Sequence, residues 1–505
     1  MTINSVGYGA TPMGQAIANI KNQLQNLQSQ LATGEKSTTY AGMGSNEGVA
    51  IAARAQLANM SAFGDTMSTV NTTIGAMNQA LQSLSSTAQE VQTGAANIDQ
   101  SLNSNGQSDA QQAAQGALAS ELGIINTQSG NRYLFSGSAI TTPSVVDEDT
   151  LLNGTATQAG LKQVIAERQQ ADVGTGTGRL VLTSPAPAGP PTSFTLAEDV
   201  AGSPFGLKLA GVTSTLTGAT VTGPSGSPAT ISVDLGGANP NNGDAITVTF
   251  NLPDGTTQSL TLTASTATPP PSGSFAIGAT STVTAANLEA ALNTGIGTIA
   301  NTSLVAASAV QAANDFFGSP PQRVSGTPLS SATALVAGTS ANTVSWYTGD
   351  AGSVPARATA TARGDQSVTV QYGARASEPA IASQLKTIAL FAAFTTSPTG
   401  ANAGAQISAL SQRVAQNLTS QPGQQTIEQM QTEFASAQQT MQDAQSRQTQ
   451  AQTMLQTMVN NTETVSTDQV ASQLLQLQTN RQASYQATSM MSELTLTKYL
   501  PVPSG

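Results

Sequence analysis

The chain contains no cysteine and no histidine among its 505 residues. Without these two residue types, a protein has no thiol nucleophile, no histidine general base and none of the usual ligand sets for zinc. It also has no disulfide bond to form, whichever compartment it occupies. Most hydrolase and metalloenzyme classes are thereby excluded, so we expect a protein that is not an enzyme and needs no cofactor.

Charged and aromatic residues are scarce, at 9% and 4% of the chain, both low values for a soluble protein. The 17 Lys and Arg residues against 28 Asp and Glu give a net charge of −11. No basic stripe is present that could follow a phosphate backbone, so no nucleic-acid partner is expected. The apolar share of 38% is too high for highly charged disorder and predicts a folded chain with a neutral polar surface.

Targeting and membrane-spanning signals are also missing from the sequence. Residues 1–14 lack the basic start and the apolar core of a secretory signal peptide. No run of apolar residues approaches the length of a membrane span. We therefore expect no membrane association, and any export would proceed without a cleaved signal peptide.

What the sequence does contain is an apolar seam with strict 3-4 spacing in its N-terminal part. This spacing keeps one stripe of a single long helix facing a partner helix. At 1.5 Å of rise per residue the helix would be roughly 58 Å long. The seam consists of Met60, Phe63, Met67, Val70, Ile74, Met77, Leu81, Leu84, Ala88, Val91, Ala95 and Ile98.

A second seam of the same kind lies near the other end of the chain, and Gln448 is its only polar member. The positions on both sides of the first seam are uncharged, and one side of the second seam carries only glutamine at Gln431, Gln438, Gln445 and Gln452, whereas a two-stranded coiled coil usually carries Glu and Lys there. This composition favours a bundle of several helices. The second seam consists of Ile427, Met430, Phe434, Ala437, Met441, Ala444, Gln448, Ala451, Leu455 and Met458.

Shorter amphipathic patterns lie outside the two seams. A first helix is predicted from Gly14 to Thr33, with Gly34 in the left-handed position that ends many helices. A last helix is predicted to begin at Ser466, which forms a capping-box pattern with Gln469. Neither stripe has an obvious partner within the chain, so both are expected to pack against neighbouring copies. The predicted assembly interface consists of Ile17, Ile20, Leu24, Leu27, Leu31, Leu474, Leu477, Tyr485, Met491 and Leu494.

From about residue 145 the composition shifts to Thr, Ser, Gly, Pro and Val. Residues 246–252 and 260–262 alternate between apolar and polar on either side of a Pro-Asp-Gly turn, which predicts a β-hairpin. One short helix is expected over residues 284–299. Clusters of proline predict joints between two subdomains.

These patterns predict an α+β protein in which both termini form a long coiled-coil-like helical bundle with a β-rich inserted middle region. Residues 1–44 and 466–505 are assigned to a terminal helical polymerisation domain. Residues 45–144 and 341–465 are assigned to a helical stalk domain with short β elements. Residues 145–340 are assigned to a variable, outward-facing β-rich region of two subdomains.

Two motifs that could suggest chemistry are weak. The glycine run at residues 174–178 lacks the lysine and the strand-then-helix context of a phosphate loop. The acidic run at residues 147–149 fits a solvated loop better than a cation site, because no ligand geometry follows from it. No metal site is therefore predicted.

Both ends of the chain resemble the bacterial flagellin superfamily. The first of the matching stretches reads LQSQLATGEK and the last reads LTLTKYL. Their order, and their position at both termini, make the likeness more specific than any one motif would. The matching stretches are residues 27–36, 49–54, 474–477, 482–486 and 494–500.

Within this superfamily, residues 126–127, 130–137 and 142–143 look most like the hook-associated proteins of the hook–filament junction. The middle of the chain is similar to insertions in flagellin-like proteins of alphaproteobacteria. The segments WYTGD at residues 346–350 and YGAR at residues 372–375 belong to that likeness.

The resemblance implies a structural subunit that is exported unfolded through the flagellar secretion channel and assembles in the extracellular flagellum. The implied partners are other copies of the chain, hook-associated proteins, flagellin, the export apparatus and a chaperone. A junction protein is the first hypothesis and a main filament flagellin the second. A surface adhesin or glycan-binding module is the alternative from another functional class.

Overall fold

The computed structural model describes residues 12–97, 101–187 and 189–493. The chain divides into two compact units, and each unit is built from segments that are distant in sequence. Unit 1 comprises Met1–Val70, Ala362–Val370 and Gln438–Gly505, and unit 2 comprises Asn71–Thr361 and Gln371–Ala437. Both described ends of the chain therefore belong to unit 1.

The protein is α+β, with long helices and several small separate sheets. The helices are α1 Pro12–Thr33, α2 Glu47–Ala96, α3 Asp109–Ile125, α4 Glu148–Asn153, α5 Leu161–Val173, α6 Ser281–Ala300, α7 Ser303–Phe317, α8 Pro379–Ala393, α9 Ala403–Asn417, α10 Ile427–Glu463 and α11 Thr467–Glu493. The strands are β1 Gln128–Ser129, β2 Arg132–Tyr133, β3 Leu180–Thr183, β4 Ser193–Glu198, β5 Lys208–Ser214, β6 Thr220–Ser225, β7 Thr230–Asp234, β8 Ala245–Asn251, β9 Thr257–Ser265, β10 Ser274–Ala276, β11 Gln322–Ser325, β12 Ala334–Ala337, β13 Thr361–Arg363 and β14 Thr369–Gln371.

The first apolar seam forms one continuous helix, α2, of 50 residues, as its spacing predicts. The members from Met67 to Leu84 are buried, as are Val91 and Ala95, whereas Ala88 is half-buried. Ile98, the last predicted member, lies outside the described residues. The 3-4 pattern was therefore sufficient to identify both the helix and its buried face.

The second seam forms α10, and its buried stripe follows the prediction to Leu455. After Leu455 the buried residue is Val459, at 4% exposure, whereas the predicted Met458 is 39% exposed. A straight helix of 3.6 residues per turn drifts against a strict seven-residue repeat, which moves the buried face by one position. Leu455 and Val459 form a small apolar cluster with Ala53 of α2 inside unit 1.

Unit 2 contains two four-stranded sheets, with strand orders β3-β4-β7-β6 and β10-β9-β8-β5. The predicted hairpin is confirmed as antiparallel β8 and β9, in which Ile246 lies opposite Leu262 and Val248 lies opposite Leu260. The inward-facing side chains of both sheets share one apolar core with α6, which includes Phe250. Alternating burial along β8 follows from the two-residue period of a strand.

The prediction of a single short helix in the middle region is wrong, because four helices, α4 to α7, lie among the described residues 145–340. Helix α7 is short and rich in alanine, and it is buried around nearly its whole circumference. The segment Ser281–Phe317 is long and apolar enough for a membrane span. It is divided into α6 and α7, however, and 67% of its most apolar window is buried inside the fold, as in the core of a soluble domain.

Candidate assembly surface in the terminal unit

The first and last described helices, α1 and α11, pack against each other within unit 1. Leu24 of α1 is 6% exposed and Val470 of α11 is 3% exposed, so each helix places at least one side chain fully inside. Five more of the predicted interface residues on these two helices are only half-buried. These residues are Ile17, Ile20, Leu27, Leu474 and Leu477.

The remaining predicted interface residues divide into two groups. Leu31 and Tyr485 are 41% and 53% exposed. Met491 belongs to α11, but its side chain is not among those described, and Leu494 lies outside the described residues. The pairing of α1 with α11 thus leaves Leu31 and Tyr485 exposed and five further residues of the predicted stripe only half-buried.

Unit 1 carries most of the exposed large apolar side chains in the described part of the protein. Nine of the fourteen such residues belong to it, with exposures between 39% and 64%. We call these nine residues the exposed apolar set. They are Leu31, Tyr40, Val49, Ile51, Met454, Met458, Leu475, Tyr485 and Met490. These side chains give unit 1 apolar surface for a contact with another protein.

Sequence reasoning missed Leu475 and Met490, each of which is 64% exposed. A search for one apolar stripe selects Leu474 and rejects its neighbour, because adjacent residues point about 100° apart on a helix. The signal for them in the sequence was that α11 contains the adjacent leucines Leu474 and Leu475 and the adjacent methionines Met490 and Met491. They show that apolar residues occupy more than one face of this helix.

The two terminal helices carry very little charge. Lys21 is the single ionised side chain in the 22 residues of α1, and α11 contains only Asp468, Arg481 and Glu493. Burying a charged group without a partner is costly, whereas burying apolar surface is favourable and polar groups are buried at little cost when they are hydrogen-bonded. The composition of both helices therefore suits burial against another protein surface.

A group of polar contacts, which we call the polar clasp, joins the segment that follows α1 to the segment that precedes α11. Arg54 Nε donates to Glu463 Oε1 at 2.7 Å, and a second guanidinium nitrogen pairs with the other carboxylate oxygen. The Lys36 amide donates to the Glu463 carbonyl at 2.6 Å, and the Val465 amide donates to the Gly34 carbonyl at 3.0 Å. The Arg54 guanidinium holds the pKa of the Glu463 carboxyl below its ordinary value. The polar clasp therefore holds these two segments of unit 1 together.

Gln448, the polar member of the second seam, is buried because it binds the β13–β14 hairpin. Its Nε2 donates to the Gly364 carbonyl at 2.5 Å, and its side chain is 6% exposed. Asp365 fixes the turn of the hairpin, since its Oδ1 accepts from the amides of Ser367 at 2.6 Å and Val368 at 2.7 Å. The polar break in the seam thus anchors a hairpin on α10.

In unit 2, three of the segments that carry the resemblance come together. The Gly137 amide donates to the Ala374 carbonyl at 2.9 Å, and the Asp350 amide donates to the Ser136 carbonyl at 2.9 Å. Arg375 Nη2 donates to Asp350 Oδ2 at 2.7 Å, and this bond holds the pKa of Asp350 far below its ordinary range. Sequence order alone could not place these segments side by side.

The acidic run at residues 147–149 has a local structural role. Asp147 is the N-cap of α4, and its carboxylate accepts from Thr150 N at 3.0 Å and from Thr150 Oγ1 at 2.8 Å. These hydrogen bonds lower the pKa of Asp147. Within residues 12–97, 101–187 and 189–493, no group of three or more acidic side chains is arranged to hold a metal ion.

The candidate surface is therefore defined by the geometry of the chain itself, through helix pairing, side-chain exposure and low charge. No protein-family model, no curated protein and no solved structure gives a match to this chain.

Proposed function

We propose that this protein is a structural subunit of the bacterial flagellum, a hook-associated protein of the hook–filament junction that assembles through its terminal helices. The observation that carries the proposal is the exposed apolar set of unit 1. A subunit destined for a polymer must keep its apolar contact surface accessible until neighbours cover it.

In this proposal, α1, α2, α10 and α11 form a coiled-coil-like bundle whose packing is completed by the same helices of adjacent subunits. The small, uncharged residues on both sides of the first seam support this arrangement, because such side chains let several helices approach closely. Burial of about 1,000 Å² of apolar surface per neighbour would contribute roughly 25 kcal/mol before the entropic costs of association. That magnitude is sufficient for stable assembly.

The proposal includes the setting of the assembled protein. The subunit would be secreted without a cleaved signal peptide through the flagellar export apparatus, with a chaperone, and would reside in the extracellular flagellum. It would bind flagellin and other hook-associated proteins and would contribute to motility without catalysing a reaction. The likeness of both ends of the sequence to the flagellin superfamily supports each of these points.

Paired glutamate substitutions on the surface of α11 provide a direct test. The double variant Leu475→Glu and Met490→Glu changes two side chains that are 64% exposed, so we expect the monomer to fold as before. We expect its assembly, followed by sedimentation and electron microscopy, to be abolished, because two charges would have to be buried at the contact.

The matched control is the double variant Val181→Glu and Val336→Glu in unit 2. These residues are 46% and 48% exposed and lie outside the proposed contact. We expect this control to assemble like the wild-type chain. Equal assembly of both double variants would rule out α11 as the contact helix.

A main filament flagellin would use the same surface, and the copy number per flagellum distinguishes the two roles. We expect a labelled version of the chain to mark one short zone between hook and filament in electron micrographs. Label along the whole filament would identify the filament subunit instead.

A further inference from the structure

Unit 2 contains an open cleft of about 910 Å³. Its walls come from α2, from α7, from the first half of α8 and from the connection between α9 and α10. This volume lies within the range of small-molecule binding sites. Amides and hydroxyls dominate the walls, and no aromatic residue is among the described residues that line them. Typical members are Gln89, Gln92, Ser383, Gln421, Gln424 and Thr426.

Lys386 of α8 brings an uncompensated positive charge to this cleft. Its side chain is half-buried, and it makes no hydrogen bond or ion pair within the described part of the chain. Burial lowers the pKa of the Lys386 ammonium. The two acidic residues on the walls do not neutralise it. Asp254 Oδ2 accepts from Arg413 Nε at 2.6 Å, and Glu428 is an exposed residue of α10 that does not pair with Lys386.

Gln425 places a fixed amide on the same wall. Its Nε2 donates to Glu378 Oε2 at 3.1 Å, which fixes the orientation of the amide.

We propose that the cleft binds a hydroxylated carboxylate of sugar-acid size, either free or at the end of an acidic saccharide. The carboxylate of the ligand would pair with the Lys386 ammonium. The amide and hydroxyl side chains of the walls would exchange hydrogen bonds with the hydroxyls of the ligand.

Isothermal titration calorimetry of the full chain with sodium glucuronate tests this proposal. We expect the wild-type chain to bind glucuronate and not glucose, which has the same ring without the charge. Lys386→Met should weaken binding by about tenfold or more, because hydrogen bonds to charged groups are the strong ones. Lys162→Met is the matched control, since Lys162 Nζ donates to Asn153 Oδ1 on the exposed surface of the same unit. Its binding should equal that of the wild type.

Ser383→Trp tests the location independently, because it fills the cleft from an exposed wall position and leaves Lys386 in place. We expect this variant to lose binding while its melting temperature stays close to that of the wild type. Absence of any glucuronate heat with the wild-type chain would overturn the proposal. Equal binding by the Lys386→Met or Ser383→Trp variants would overturn it as well. An oligosaccharide that ends in glucuronate, titrated in parallel, distinguishes a saccharide end from a free sugar acid by which of the two binds more tightly.

Discussion

Single polar residues in apolar surroundings satisfy buried backbone carbonyls in this protein. Gln448 interrupts an otherwise apolar seam, and its amide satisfies a hairpin carbonyl that would otherwise be buried without a partner. Gln111 has a similar task in unit 2, since its Nε2 donates to the carbonyls of Phe391 at 3.1 Å and Phe394 at 2.8 Å. Such residues fix which segments meet, because a buried carbonyl without a donor is costly.

Replacing Gln448 by leucine should destabilise unit 1 although it makes the seam fully apolar. The Gly364 carbonyl would lose its donor, which costs about 1–3 kcal/mol of the free energy of unfolding. Urea denaturation would measure this loss in the free energy of unfolding. Hydrogen exchange would show whether the loss of protection lies in the β13–β14 hairpin. The matched control is Gln445→Leu, an exposed position on the same helix, where we expect a change within about 0.5 kcal/mol. Equal stability of both variants would show that the hairpin does not depend on Gln448.

Glu121 of α3 should make the protein less stable as the pH rises. Its carboxyl is fully buried, and burial raises its pKa from 4.5 to about 8, with a smaller opposing effect of the Gln384 amide. Between these two pH values the folded state holds a proton that the unfolded state has released. The free energy of unfolding therefore falls as the pH rises from 4.5 to 8, by an amount on the order of 4 kcal/mol for this group.

Thermal unfolding at a series of pH values measures this effect, and Glu121→Gln should remove it while preserving the shape of the side chain. The control substitution is Glu428→Gln at an exposed position, which should leave the pH profile as in the wild type. A profile that is the same with and without the Glu121 carboxyl would contradict the prediction.

At the scale of elements, the sequence predicted α1, α2, α10 and α11 well and α5 and α7 not at all. A long helix with one buried face repeats its pattern many times, so its period is clear. Helix α5 buries Arg168 and Asp172, which an apolar pattern cannot reveal. These side chains are satisfied by contacts that are distant in sequence, since Arg168 Nη1 donates to Asp315 Oδ2 at 2.9 Å.

The glycines of α2 offer a second test at this scale. A Cβ atom at Gly75 would meet no other atom within 4 Å, and the position is helical and exposed. Gly75→Ala should raise the free energy of unfolding by about 1 kcal/mol, which chemical denaturation would detect. Gly106→Ala is the contrasting variant, because its φ is +73° and the new Cβ would overlap the Thr396 carbonyl. It should destabilise the protein. If Gly75→Ala were less stable than the wild type, the glycine itself would be needed for the stability of the fold.

At the scale of the whole molecule, the two ends of the chain belong to one unit although almost the entire sequence separates them. That unit also carries the exposed apolar set, so the surface proposed for assembly depends on both ends. Loss of either end should therefore abolish assembly without unfolding unit 2, whose core is built from its own sheets and helices.

A chain that ends at Ser466 tests this expectation, because it lacks α11 and everything that follows. We expect a soluble protein that keeps the β-sheet signal of unit 2 in circular dichroism and stays monomeric in analytical ultracentrifugation. Normal filaments or junctions from this truncated chain would be incompatible with assembly through the terminal helices.

The sequence by itself determined the long helices, the β8–β9 hairpin and the scarcity of charge. These features depend on neighbours within a few residues, and helical and strand periods express such local geometry directly. Only the tertiary structure decided that Gln448 meets Gly364, that Glu121 is buried without a charged partner and that Leu475 stays exposed. Each of these facts depends on which distant segments pack together, and burial and pairing arise only when that packing is complete.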